Sequence, residues 1–275
     1  MLEVPTPLAA RPRVMGVVNV TPDSFSDGGR FLGVEAAVDH ALRLVEEGAD
    51  ILDLGAESTR PRAEPVSQAD ELERLIPVIE SVRARCQTPI SVDTMKPAVA
   101  REAMAAGASI WNDVTALSWS PESLASAAEL GCGVILMHMQ GDPRTMQDDP
   151  RYEEVVAEVR EFLAERARVA MAAGVRREAI WLDPGIGFGK NLAHNLALIA
   201  NLDRIAALGF PVLLGVSRKG FIRAIDPKAT DPAARLAGSI TAALAGVRAG
   251  ASILRVHDVA ATRQALAVDA ALRQA

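Results

Sequence analysis

Residues 38–57 read Val38-DHALRLVEEGADILDLGA-Glu57 and carry two periodicities in succession. Val38, Ala41, Leu42 and Val45 recur at i, i+3, i+4 and i+7, the spacing of one helix face, and Gly48 follows as a C-terminal stop. The run ILDLGAE from Ile51 is then almost continuously apolar, as in a parallel strand covered on both faces. A helix delivered through a glycine into a buried strand is one step of a strand–helix repeat.

Seven further runs of the same character lie on either side. They are VMGVVNV from Val14, PISVDT from Pro89, SIWNDV from Ser109, GVILMHM from Gly133, IWLDPG from Ile180, PVLLGV from Pro211 and SILRVH from Ser252. Helical patterns separate several of them. Ser67, with Asp70 and Glu71 in the first turn, opens LERLIPVIESV, and longer stretches run from Tyr152 to Ala173, from Asp231 to Gly250 and from Val259 to Ala275. Eight strands alternating with helices give an α/β chain folded as a (β/α)8 TIM barrel. An open doubly wound sheet would carry a glycine fingerprint after its first strand, where this chain has Thr-Pro-Asp-Ser from Thr21. No linker or composition shift interrupts the pattern, so a single domain over residues 1–275 is expected.

The 275 residues suit a barrel, which uses roughly 250 as one domain. A composition that is 49% hydrophobic and 23% charged excludes a disordered chain. With 29 Lys and Arg against 35 Asp and Glu, the net charge of −6 argues against a nucleic-acid partner. Cys86 and Cys132 have no metal-ligand spacing and give no disulfide framework. The first residues lack a signal-like apolar run, and LAGSITAALAGV, between Arg235 and Arg248, is too short to span a bilayer. A cytoplasmic protein without a membrane partner is expected.

Barrel sites sit at the C-terminal ends of the strands. Here those ends carry Asn19, Glu57, Asp93, Asn112 with Asp113, His138, Asp183, Ser217 with Lys219, and Arg255 with His257. Any one of them alone reads as a turn or a cap; all eight ends together read as a site. Asp93, Asn112 and Asp183 suit a flat heterocycle with adjacent N–H donors. Arg60, Arg62, Arg218, Lys219, Arg255 and His257 gather cations on the same rim of an acidic chain, which suits a phosphate or carboxylate group. The loops Thr21–Gly33 and Ser58–Pro65 are long and rich in Gly, Pro, Ser and Asp, and are expected to be binding loops.

Other motifs fail. Asp183-PGIGFG-Lys190 has Pro184 and Asn191 where a phosphate loop needs Gly and Ser or Thr, so its glycines are expected to serve a tight strand-end loop. His40 and His194 read as structural, His138 and His257 lack a third zinc ligand, and Ser217 has no nucleophile-elbow glycines. The residues by themselves imply a barrel enzyme for a planar, hydrogen-bonding substrate with an anionic group.

Read as a set, eight segments resemble the bacterial dihydropteroate synthase family of pterin-binding barrels. They are Gly16-VVNVTPDSFSDGG-Arg30, Gly48-ADILDLGAESTR-Pro61, Ile90-SVDTMK-Pro97, Ile110-WNDV, Leu136-MHMQGDPRTMQ, Leu182-DPGIGFGKN, Leu214-GVSRKGF and Ile253-LRVHDV. Arg62, Met95 and Ile186 depart from the family's usual Gly, Ser and Phe. The resemblance implies a reaction of folate biosynthesis. In it, 4-aminobenzoate attacks the methylene of 6-hydroxymethyl-7,8-dihydropterin diphosphate, giving 7,8-dihydropteroate and diphosphate.

By the same resemblance Asp93, Asn112, Asp183 and Lys219 hold the pterin, with Met137 and Phe188 as apolar walls. Asn19 contacts Mg²⁺, Arg255 and His257 hold the diphosphate, and Thr59, Arg60 and Ser217 lie around the aminobenzoate. Asn19, Lys219, Arg255 and His257 would then carry the chemistry. A homodimer and sensitivity to sulfonamides are implied too. A corrinoid-linked methyltransferase domain would leave the Arg255–His257 pair and the TPDSFSDGG and STRP segments without a purpose. Intact rim residues argue against a non-catalytic paralogue.

Overall fold

The computed structural model describes residues 11–20, 30–57, 65–142 and 145–274. Each of the eight apolar runs forms a strand: β1 (Arg13–Asn19), β2 (Ile51–Gly55), β3 (Ile90–Asp93), β4 (Ile110–Asp113), β5 (Gly133–Met137), β6 (Ile180–Asp183), β7 (Leu213–Leu214) and β8 (Ile253–Val256). They pair in parallel in the order β6-β5-β4-β3-β2-β1-β8-β7. A bridge between Leu182 and Val212 joins β6 to β7 and closes the ring, so the expected (β/α)8 barrel forms.

The helices are α1 (Arg30–Glu46), α2 (Gln68–Arg85), α3 (Pro97–Ala105), α4 (Ser123–Leu130), α5 (Val155–Ala172), α6 (Leu192–Ala200), α7 (Asp203–Ala206), α8 (Gly220–Ile225), α9 (Leu236–Arg248) and α10 (Val259–Gln274). Ser67 caps α2 by accepting from Asp70 N at 3.1 Å. Three boundaries differ from expectation. α5 starts at Val155 rather than Tyr152, because the Glu154 carboxylate accepts from Val156 N and Ala157 N as its cap. The stretch from Asp231 first makes a 3-10 turn at Pro232–Arg235, where the buried Arg235 donates to Ala229 O, Thr230 O and Arg218 O. α1 begins at Arg30, so Arg30–Gly33 form its first turn and not the end of a loop. The remainder of that loop, and Ser58–Glu64 with Thr59, Arg60 and Arg62, lie outside the described residues.

Register explains the position of the site. Met15 pairs with Ile51 and Val17 with Asp53, Asp93 with Asn112, Ile135 with Trp181, Met137 with Asp183, and Met15 with Arg255. Met15, Ile51, Ile110, Ile135, Trp181, Leu213 and Ile253 form one buried cluster that fills the barrel floor. Side chains two residues further along a strand face the same way. That step leads to Val17, Asp53, Asn112, Met137, Asp183 and Arg255, and so from an apolar floor to a mostly polar layer above it. The alternate residues, including Leu52, Leu54, Val92, Trp111, Leu136, Leu182 and Leu254, belong to the larger core beneath the helices. None of the described helices is long and apolar enough to cross a membrane.

α9 lies so near β7 that a Cβ on Gly246 would fall 2.1 Å from Leu214 Cδ2. We expect Gly246→Ala to lower stability in urea by about 1–3 kcal/mol through overpacking. Gly220→Ala, where no atom lies within 4 Å of the added Cβ, should change it by less than about 0.5 kcal/mol.

Candidate active site at the strand C-termini

The polar layer is organised around Arg255. Its Nε donates to Asp53 Oδ2 at 2.6 Å and its Nη2 to Asp93 Oδ2 at 2.8 Å. Asn112 Nδ2 donates to the same Asp53 carboxylate at 3.3 and 3.4 Å. One connected set of polar groups thus ties β2, β3, β4 and β8 together. Burial alone would lower the Arg255 guanidinium, but Asp53 and Asp93 outweigh it and hold the group above its ordinary value. Burial pushes the Asp93 carboxyl up against the opposing pull of Arg255. Arg255 is therefore a paired cation, where its rim position had suggested a free one. Asp53 was missed in the sequence; its signal was a lone carboxylate in the middle of an apolar strand, costly to bury unless paired.

Asp183 ends β6 on the inward face, and its Oδ1 accepts from Gly185 N at 2.7 Å. Burial raises this carboxyl, opposed by the Gly185 N–H and the Lys219 charge. The following loop needs its glycines. Gly185, Gly187 and Gly189 have φ of +66°, +85° and +61°, and a Cβ on Gly185 would lie 1.9 Å from His138 O. Lys190 fastens the loop from behind, with Nζ 2.9 Å from His138 Nδ1, 3.3 Å from His138 O and 2.9 Å from Phe188 O. Tyr152 Oη donates to Gly189 O at 2.8 Å, Asn195 Oδ1 accepts from Gly187 N at 2.7 Å, and the Gln147 amide donates to Gly187 O. The lysine of this motif therefore binds protein carbonyls and an imidazole, in keeping with the rejection of a phosphate loop. Burial lowers Lys190 to about 7.

His138 is a correction. It follows Leu136 by two on the outward face of β5 and packs edge-on against Phe162 of α5, 4.8 Å between ring centroids. Burial, aided by Lys190, pushes it down to about 3, so it accepts from Lys190 as a neutral ring. Asp113 is a second correction, because its carboxylate is used by its own turn. It accepts from Thr115 N and Oγ1, both at 2.7 Å, and from Leu117 N at 3.0 Å. Glu57 is a third, bound to Lys96 Nζ at 2.6 Å beside the buried Glu71.

The turn after β7 supplies Ser217, Arg218 and Lys219. Arg218 has φ +60°, unusual for a residue with a Cβ, and is held there from several sides. Its N–H donates to Ser239 Oγ at 2.8 Å, and its guanidinium forks onto Asp258 at 3.0 and 2.6 Å. That pairing removes Arg218 from the expected set of rim cations. Lys219 is left with its Nζ 4.2 Å from the centroid of the Phe188 ring. Burial and the neighbouring Arg255 lower it to about 8. Ser217 Oγ lies 3.0 Å from His257 Nδ1 and accepts from His257 N at 3.2 Å. Burial and Arg255 lower His257 to about 4, so without a ligand it is an uncharged ring at neutral pH.

Met137 and Phe188 form an apolar wall as expected, joined by Met95, Val114 and Met139. Met95 follows Asp93 by two and Val114 follows Asn112 by two, continuing the inward-facing period past the ends of β3 and β4. The departure at Met95 thus extends the wall. Asn19 is exposed at the end of β1, in register with Gly55. The arrangement offers carboxylate and amide acceptors, one cation over an aromatic ring and an apolar side, fitting a flat heterocycle. Among the described residues, no three His, Cys, Asp or Glu converge as a metal cluster.

Comparison with known proteins agrees with this geometry. The family described as pterin binding enzyme matches residues 15–257. Dihydropteroate synthase of Haemophilus influenzae is 48% identical over 257 residues, covering 94% of this chain and 92% of that protein. The structure of Xanthomonas albilineans dihydropteroate synthase with 4-aminobenzoic acid superposes with a TM-score of 0.90 at 53% identity, covering 96% of this chain and 94% of that one. The structure of the Xanthomonas enzyme in complex with 7,8-dihydropteroate gives 0.87 at 50% identity, covering 96% and 95%.

The depressed His138 carries a test. Its folded value of about 3 lies below the ordinary 6.5, so the unfolded chain takes up the proton first as pH falls. Its contribution to stability is complete above about 6.5 and is lost progressively as pH falls toward 3. The raised Asp93 and Asp183 act in the opposite sense, so the quantity to measure is a difference. Between pH 7.5 and 4.5, Tm should fall less steeply in His138→Gln, which keeps an acceptor for Lys190, than in wild type. Equal slopes would contradict the assignment.

Proposed function

This chain belongs to the pterin-binding enzyme family and, within it, to the dihydropteroate synthases, and we propose that it joins 4-aminobenzoate to 6-hydroxymethyl-7,8-dihydropterin diphosphate. The products are 7,8-dihydropteroate and diphosphate, so the enzyme is a transferase of a pterinylmethyl group in folate synthesis. The observation that carries the reading is the inward polar layer. Asp93, Asn112 and Asp183 present acceptors beside the apolar wall of Met137 and Phe188, with Lys219 above the Phe188 ring.

The amine nitrogen of 4-aminobenzoate forms a bond to the pterin methylene carbon. The carbon–oxygen bond to diphosphate breaks, its electron pair leaves with the diphosphate, and the new C–N centre gives its proton to water. An aniline needs no strong base. The barrier lies in placing two small molecules in line and in stabilising the departing charge. Asp183 and Asn112 would pair with the amino and ring N–H donors of the pterin, fixing the methylene in place. Lys219, lowered to about 8 and so still mostly protonated at neutral pH, would supply a cation to the ring edge. His257 would donate from Nε2 near the leaving diphosphate while its Nδ1 accepts the Ser217 hydroxyl proton, with Arg255 providing charge through its already paired guanidinium.

A magnesium ion fits this donor set only in part. Asn19 offers one hard oxygen at the barrel mouth, and the substrate's diphosphate would complete the shell. When bound, the ion would neutralise the leaving group. Thr59 and Arg60, proposed around the aminobenzoate, and assembly as a cytoplasmic homodimer rest on the family resemblance.

The direct test is incubation with the pterin diphosphate, 4-aminobenzoate and Mg²⁺, following diphosphate release and dihydropteroate. Binding without product would favour a non-catalytic paralogue. Asp183→Asn should weaken pterin binding by at least about 2 kcal/mol by calorimetry on the folded variant, since an amide donor replaces an acceptor. Unchanged affinity would remove Asp183 from the site. Chelation should abolish turnover with no shift in Tm, and added Mg²⁺ should restore it. Tight Mg²⁺ binding by the substrate-free protein would contradict a metal held mainly by substrate.

A further inference from the structure

Asp53 is fully buried and points into the barrel from the middle of β2. Arg255 needs only one carboxylate for charge balance and has Asp93 at 2.8 Å. A second buried carboxylate beside it costs desolvation without improving that balance. What Asp53 adds is its contact with Asn112. A carboxylate can only accept, so the amide that faces it must present its NH2 group. Asn112 therefore turns its Oδ1 away from Asp53, and among the described residues nothing donates to that oxygen.

We propose that Asp53 is a specificity-determining positioning residue, which fixes the Asn112 amide so that the site reads this ligand position only as a hydrogen-bond donor. This rests on the pterin reading given above. The group recognised is then an amino or ring N–H group, and a carbonyl in its place is refused because two acceptors would face each other.

Asp53→Asn makes the opposite demand with almost no change in shape. Arg255 Nε donates to Oδ2 at 2.6 Å and so retains the oxygen of the new amide. Its NH2 then replaces the oxygen 3.4 Å from Asn112 Nδ2, which sets two donors against each other and favours the turned amide, with Oδ1 inward and NH2 toward the ligand. The pair becomes complementary to a carbonyl.

The experiment measures calorimetric affinities of 6-carboxypterin and of 6-carboxylumazine, which carries oxygen in place of the 2-amino group. Wild type should prefer the pterin, and Asp53→Asn should reduce that ratio by roughly tenfold or more. In an Asn112→Ala background, the same substitution at position 53 should leave the ratio unchanged. A wild-type ratio in Asp53→Asn, or an equal change in both backgrounds, overturns the proposal.

If Asp53→Asn does not fold, the side-chain amide of Asn112 in ligand-free wild type decides by ¹⁵N spectroscopy. One exchange-protected amide proton supports the proposal, and two that exchange as fast as a surface amide overturn it. Failure here separates from failure of the enzymatic reading: wild type that discriminates the two compounds yet makes no dihydropteroate overturns only the activity. Wild type that binds neither compound overturns both.

Discussion

A guanidinium held between two carboxylates inside a barrel is the constraint on which this site depends. Arg255 enters the barrel from β8 and is met by Asp53 from β2 and Asp93 from β3. Any one of these charges alone at that depth would be prohibitively desolvated. Together they allow the layer above the apolar floor to be polar, which a barrel interior ordinarily is not. Burial is the larger cause of the shifts around this pairing; beside burial, the Arg255 charge helps to lower Lys219 and His257 and opposes the rise of Asp93 and Asp183.

A second constraint works from outside the barrel wall. The loop from Asp183 to Lys190 approaches His138 O so closely that only glycine fits at position 185. Its peptide groups are taken up by Tyr152, Lys190, Asn195 and Gln147. Phe188 is thereby fixed as the support for Lys219. Rigid placement of this kind is what a reaction limited by alignment and leaving-group charge requires. The outward-facing His138 serves the site by accepting from Lys190.

Pairing also corrects the simple reading of the rim cations. Arg218 and Arg255 are both engaged with carboxylates. Lys219 and the neutral His257 are the groups from that set, among the described residues, that stand without such an ion pair. An excess of basic residues at one end of a barrel therefore overstates the charge available to an anionic ligand.

The sequence by itself determined the alternation of strand and helix, because hydrophobic period and glycine stops are local properties. Position at a strand end likewise marked Asn112, Asp183 and His257, whose side chains follow from the two-residue period, and Lys219, which the turn after β7 places. Local spacing also explains why the glycines of the loop after β6 were legible as conformational. Only the tertiary structure decided which polar ends face inward. His138 and Asp113 lie at strand ends as Asp183 does, yet one residue of register turns them to the helix side. Only closure of the ring could reveal Asp53. Its partner Arg255 is 202 residues distant in the chain, and the two meet because β1 alone separates β2 from β8. Charge pairing is a property of distance in space, and a linear sequence holds no measure of that distance.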